Sequence, residues 1–93
     1  MQMIKILDCS VTECVYNRNK QCHTMAIDVG SECPECEAYM TGTMKGGWEN
    51  LTGGVGACHQ SDCAFNRSFE CSANGIHIGR HEKHADCETY KSR

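Results

Sequence analysis

Large apolar side chains are scarce in this 93-residue chain: two leucines, five isoleucines, four valines and two phenylalanines. Proline and tryptophan occur once each, and no apolar run approaches the length of a membrane span. A large enzyme core, a coiled coil and a spanning helix are thereby excluded. Strong charge of one sign is missing too, since nine Lys+Arg stand against twelve Asp+Glu for a net −3. That balance gives nucleic acid and membrane no electrostatic reason to bind. The cations Arg18, Lys20, Arg67, Arg80, Lys83, Lys91 and Arg93 are interrupted by acids and read as a solvated face. Yet the chain is too charge-balanced and too poor in proline to be disordered. Burial alone cannot offset its conformational entropy, so cross-links or metal must hold it.

Cysteine is what the chain has, nine residues of it. The start, Met-Gln-Met-Ile-Lys-Ile-Leu-Asp-Cys, shows no basic, apolar and small-residue signal pattern. A cytoplasmic location is expected, where thiols stay reduced and thiolate–metal bonding is favoured over disulfides. Nine is also odd, so complete internal pairing is impossible.

The cysteines form two sets with one spacing. Cys9, Cys14 and Cys22 are followed by Cys36; Cys58, Cys63 and Cys71 are followed by Cys87. Cys9–Gly30 aligns with Cys58–Gly79 without a gap, and the identities include Asn17/Asn66, Arg18/Arg67, Ile27/Ile76 and Gly30/Gly79. After the glycine the second copy is two residues longer; then Cys36-Glu-Ala-Tyr39 matches Cys87-Glu-Thr-Tyr90. The chain reads as a tandem duplication: a first module over 1–40, a Gly-rich linker over 41–56, and a second module over 57–93. A flexible linker leaves the modules independent, with Trp48 as its packing anchor.

The fold class expected is small, metal-stabilised and β-rich: two tandem zinc-type modules of short strands and turns with little regular helix. Ile27-Asp-Val29 and Ile76-His-Ile78 alternate as half-buried strands. Asn17–Lys20 and Asn66–Phe69 read as tight turns, the asparagines tolerating left-handed geometry. Met3–Leu7 offers a further strand to the first copy, and His81–Cys87 a single helical turn.

Four thiolates on a loop-rich unit suit tetrahedral zinc. Two ions are expected, on Cys9, Cys14, Cys22 and Cys36 and on Cys58, Cys63, Cys71 and Cys87. The same sulfurs suit iron. Cys33 is the odd cysteine, and the equivalent place in the second copy holds His84. Three readings stand: both are spectators, one replaces a ligand, or Cys33 is a reactive thiol. His81-Glu-Lys-His84 is one residue short of the H-E-x-x-H metalloprotease motif, and no enzyme activity is expected. His23, His59 and His77 read as solvated.

Cys9-Ser-Val-Thr-Glu-Cys14-Val-Tyr-Asn17, then Cys22, Ile27-Asp-Val29-Gly30 and Cys36-Glu-Ala-Tyr39, resembles the small bacterial four-cysteine domain of unknown function numbered fifteen-forty. Cys58–Tyr90 resembles a second copy, departing at Gln60, at Phe65 and in the longer stretch before Cys87. Ala38 and Cys33 lie outside the pattern. The resemblance implies a small cytosolic bacterial protein binding metal through four cysteines per copy, and no activity. The leading expectation is a non-enzymatic module with structural zinc that serves another protein. Metal storage or sensing is the first alternative, and an iron or iron–sulfur redox protein the second.

Overall fold

A computed structural model describes residues 3–93. Among them there is no helix; nine short strands carry the fold. The first copy supplies β1 (Ile6–Cys9), β2 (Asn17–Arg18), β3 (Gln21–Cys22) and β4 (Ala26–Val29). The second supplies β5 (Gly54–Cys58), β6 (Asn66–Arg67), β7 (Glu70–Cys71), β8 (Ile76–His81) and β9 (His84–Cys87).

The copies exchange their first strands. β1 lies parallel to β8 of the second copy, with Ile6 opposite Ile76 and Cys9 opposite Ile78. Reciprocally, β5 lies parallel to β4 of the first, with Val55 opposite Ile27 and Cys58 opposite Val29. Each pairing slips by one residue at the same place, passing over Leu7 in one and Gly56 in the other. The slip has a purpose that strand geometry makes plain. Residues three apart face opposite sides of a regular strand; an extra residue turns both Ile6 and Cys9 inward, and both are buried.

The result is one core. Ile6, Val11, Ile27, Val29, Val55, Ile76, Ile78 and Ala85 form a single buried cluster drawn from both copies. It is thin, because the molecule measures 38 × 31 × 15 Å. The expectation of a free linker and independent modules is therefore corrected. Gly54–Gly56 already belongs to β5, and the residues before it form a strap over the first copy. The Gly46 amide donates to Val15 O (2.9 Å) and the Trp48 amide to His23 O (3.0 Å). Gly47 holds a φ of 81°, and a Cβ there would strike the His23 carbonyl. Trp48 is no packing anchor: the residue is 63% exposed, and its backbone makes hydrogen bonds to His23 and Leu51.

Two local expectations also change, and a third is refined. The strand expected at Met3–Leu7 is Ile6–Cys9, and it serves the second copy's sheet. His81–Cys87 is not helical; β8 and β9 form an antiparallel hairpin, with His81 opposite His84 and Glu82 at φ 56°. The two extra residues of the second copy build this hairpin. The tight turns stand where expected: the left-handed residues are Asn19 and Lys20 (φ 55° and 65°) and Ser68 and Phe69 (54° and 66°), so an asparagine takes such a place in the first copy and none does in the second. Positive φ at both central residues is what a type I′ two-residue hairpin requires.

Candidate metal centres

What Asn17 and Asn66 do is grip the first cysteine of each set. Both side chains are buried. Asn17 Nδ2 donates to Cys9 O at 2.7 Å, and its Oδ1 accepts the Lys20 amide at 3.1 Å. Asn66 repeats the pattern on Cys58 O (2.9 Å) and the Phe69 amide (3.1 Å). The turn's carbonyl then takes the cysteine's amide: Cys9 N–H to Lys20 O at 2.9 Å, Cys58 N–H to Phe69 O at 2.8 Å. Left-handed geometry costs a non-glycine residue roughly 1–2 kcal/mol. Here it is held because the turn and the asparagine together fix both backbone groups of a cysteine.

The second cysteine is fixed by another repeated device. Cys14 bridges Thr41 and Cys63 bridges Ser92, so the chain after each fourth cysteine returns beside the second. Lys45 Nζ donates to Cys14 O at 3.1 Å, and Arg93 Nε donates to Cys63 O at 3.0 Å. Tyr39 OH reaches Glu13 (3.1 Å) and Tyr90 OH reaches Asp62 (2.8 Å), in each case the acid just before the second cysteine. The fourth cysteines are held across the copies. Cys36 N–H donates to Ala85 O and Cys87 N–H to Pro34 O, both at 2.7 Å.

These restraints bring each set together. Cys9, Cys14, Cys22 and Cys36 line one small cavity, and Cys58, Cys63, Cys71 and Cys87 line another. Each has about 20 Å³ of room, little more than one water-sized sphere needs. Ile78 and Ala85 wall the first, and Val29 and Pro34 the second, so each wall is completed by the other copy. Gly53 backs the first set, where a Cβ would sit 2.9 Å from Cys22 Sγ.

Burial pushes Cys36 up to about 12 and Cys87 up to about 11, against a weaker downward pull from backbone amides. Cys9, Cys22 and Cys71 rise for the same reason, and neighbouring thiolates add to it. In all five, an amide two residues further on (Val11, Thr24, Ala38, Ala73, Thr89) donates to the sulfur and favours the thiolate. Four sulfurs lining one small cavity, with amides aimed at five of the eight, suit a dication that relieves their mutual repulsion.

The sequence-flagged extra donors lie elsewhere. Cys33 and His84 line neither cysteine cavity; they meet each other, their donor atoms and that of Glu35 all within 4.8 Å. His81, His84 and Asp86 make a second such group, and Asp28, Glu37 and His59 an exposed third. His23 Nδ1 lies 3.1 Å from Trp48 O, and His77 Nδ1 lies 2.9 Å from Asp8.

Residues 7–41 and 57–90 each match the family described as Domain of Unknown Function (DUF1540). The chain belongs to the DUF1540 family, as two tandem copies. The two matches begin just before Cys9 and Cys58 and take in all eight cysteines of the two sets. A search of the curated proteins and of the solved structures found no match. No helix among the described residues is long and apolar enough to cross a membrane. Cysteine sequence spacing pointed to the two sets, but the asparagine grip and the Lys45/Arg93 pairing were missed. A signal for the first was present in the identity of Asn17 and Asn66, and Lys45 and Arg93 share no aligned position.

Proposed function

We propose that this tandem DUF1540 chain is a non-enzymatic zinc module. Each four-cysteine set holds one structural ion, and the outer surface serves another protein in a bacterial cytosol. The observation that carries the reading is that four cysteines line one small cavity in each copy. Structural zinc contributes ~10–16 kcal/mol in small domains, which would supply what this thin core lacks. Zinc bound there would be closed off by its four sulfurs, its role being to tie loops together rather than to hold substrate.

Support for a protein partner comes from the strap side of the first copy. Met44 is 80% exposed, Trp48 63% and Met25 55%. Side chains of that kind are enriched where proteins meet.

Metal removal is the test. With all thiols reduced, a strong chelator should abolish the fold seen by circular dichroism, and two equivalents of zinc should restore it. A reduced, metal-free chain that keeps its structure contradicts the proposal. Iron on the same sulfurs would show as visible colour in anaerobically prepared protein.

A further inference from the structure

We propose a third cation site, at the junction of the two copies, built from Cys33, Glu35 and His84. It goes beyond the two cysteine sets and stands or falls separately from them. Its donors come from both copies and meet because the backbone brings them there. Glu35 and Asp86 face one another across an antiparallel bridge, flanked by the Cys36–Ala85 and Cys87–Pro34 hydrogen bonds. That clamp sets the loop bearing Cys33 against the hairpin bearing His84.

Cys33 Sγ lies 3.7 Å from Glu35 Oε2, and the His84 donor atom lies within 4.8 Å of both. A cation would draw these three donors inward to bonding distance. Behind His84 stands Asp86, 7% exposed, with its Oδ1 at 3.2 Å from His84 Nδ1. A carboxylate orienting a histidine is the usual support of a histidine ligand, and losing it costs ~10–100-fold in affinity. His81 Nδ1 reaches the other oxygen of Asp86 at 3.5 Å, and its side chain is 64% exposed. Among the described residues no lysine or arginine pairs with Glu35 or Asp86. Two carboxylates, a thiol and two imidazoles thus converge with no lysine or arginine to balance them.

Mixed sulfur, nitrogen and oxygen donors select a borderline divalent ion, zinc foremost. Three protein ligands on a partly exposed face leave a position for water, the arrangement of an accessible site rather than a closed one. The third ion is therefore exchangeable, and it bridges the two copies where the first two ions do not.

The test adds zinc to protein already carrying two ions and reads stoichiometry by native mass spectrometry. A third equivalent should bind, be stripped by a mild chelator that leaves the first two, and slow alkylation of Cys33. His84→Ala and Cys33→Ser should each abolish it while two ions remain, and Asp86→Asn should weaken it at least tenfold. No third equivalent, or a third that survives the Cys33→Ser and His84→Ala double variant, overturns the proposal. Cys33→Ser alone, at a partly exposed position, keeps the test valid if the hairpin variants fold poorly.

Discussion

Glu35 and Asp86, each the residue before its copy's fourth cysteine, pair with one another across the junction. Because they are equivalent positions, this bridge marks an approximate two-fold axis relating the copies. The same axis relates the β1–β8 pairing to the β4–β5 pairing, slip included. Duplication here made one body with two centres, not two bodies on a string.

Cooperative unfolding follows. Each cysteine cavity is walled by the other copy, so losing one ion should loosen the second. Cys14→Ser or Cys63→Ser should lower zinc retention at both centres and leave a single calorimetric transition. Two separated transitions, one untouched by the substitution, would mean the copies are energetically independent.

The asparagine grip is predicted to matter for stability. Asn17→Ala removes two hydrogen bonds at a buried position, an expected cost of about 2–3 kcal/mol. Asn66→Ala should cost about the same, since its partners match one for one. Chemical denaturation of the zinc-loaded protein measures both, and a change below about 0.5 kcal/mol would remove the grip from the account.

Gly53→Ala tests the packing behind the first set. The added Cβ would lie 2.9 Å from both Cys22 Sγ and Thr24 O. Backbone cannot yield as a flexible side chain does, so the sulfur must move. The first ion should be lost to a chelator sooner, and the second should loosen after it because the copies share one core. Release of the first ion at the unsubstituted rate would show that the contact is relieved elsewhere.

Protons report on the ligands. Five of the eight thiols in the two sets are held above the ordinary thiol range by burial. They are protonated at neutral pH, and binding two ions should release at least about five protons per chain. The signs oppose in the two states. Raised thiol values favour the metal-free fold below the ordinary thiol range, and that contribution fades as pH climbs toward about 11 for Cys87 and about 12 for Cys36. The zinc-loaded chain instead loses its ions as pH falls. An indicator-dye titration in weak buffer counts the protons, and a count near zero would exclude thiolate ligation.

Much of this was legible in the sequence. The repeated cysteine spacing pointed to both sets, and the alternation at Ile27–Val29 and Ile76–Ile78 placed the two central strands. The strand exchange was hidden because Ile6 and Val55 carry no mark of which copy they will pair with. Pairing partners are a long-range choice, made by the shared core rather than by local pattern. The turn chemistry placed both turns but hid what two of the asparagines do. Asn19 uses asparagine's local tolerance of positive φ, whereas Asn17 and Asn66 are used for a tertiary contact to Cys9 and Cys58. His84 and Cys33 could be aligned as equivalent positions, but nothing in one dimension says that equivalent positions meet at an axis.

The most direct measurement is native mass spectrometry with elemental analysis of untagged protein, purified anaerobically and passed through a mild chelator. Two zinc ions per chain, with the eight cysteines of both sets protected from alkylation, are predicted. A metal-free mass lowered by the loss of hydrogens would mean disulfides and would contradict the account at its centre.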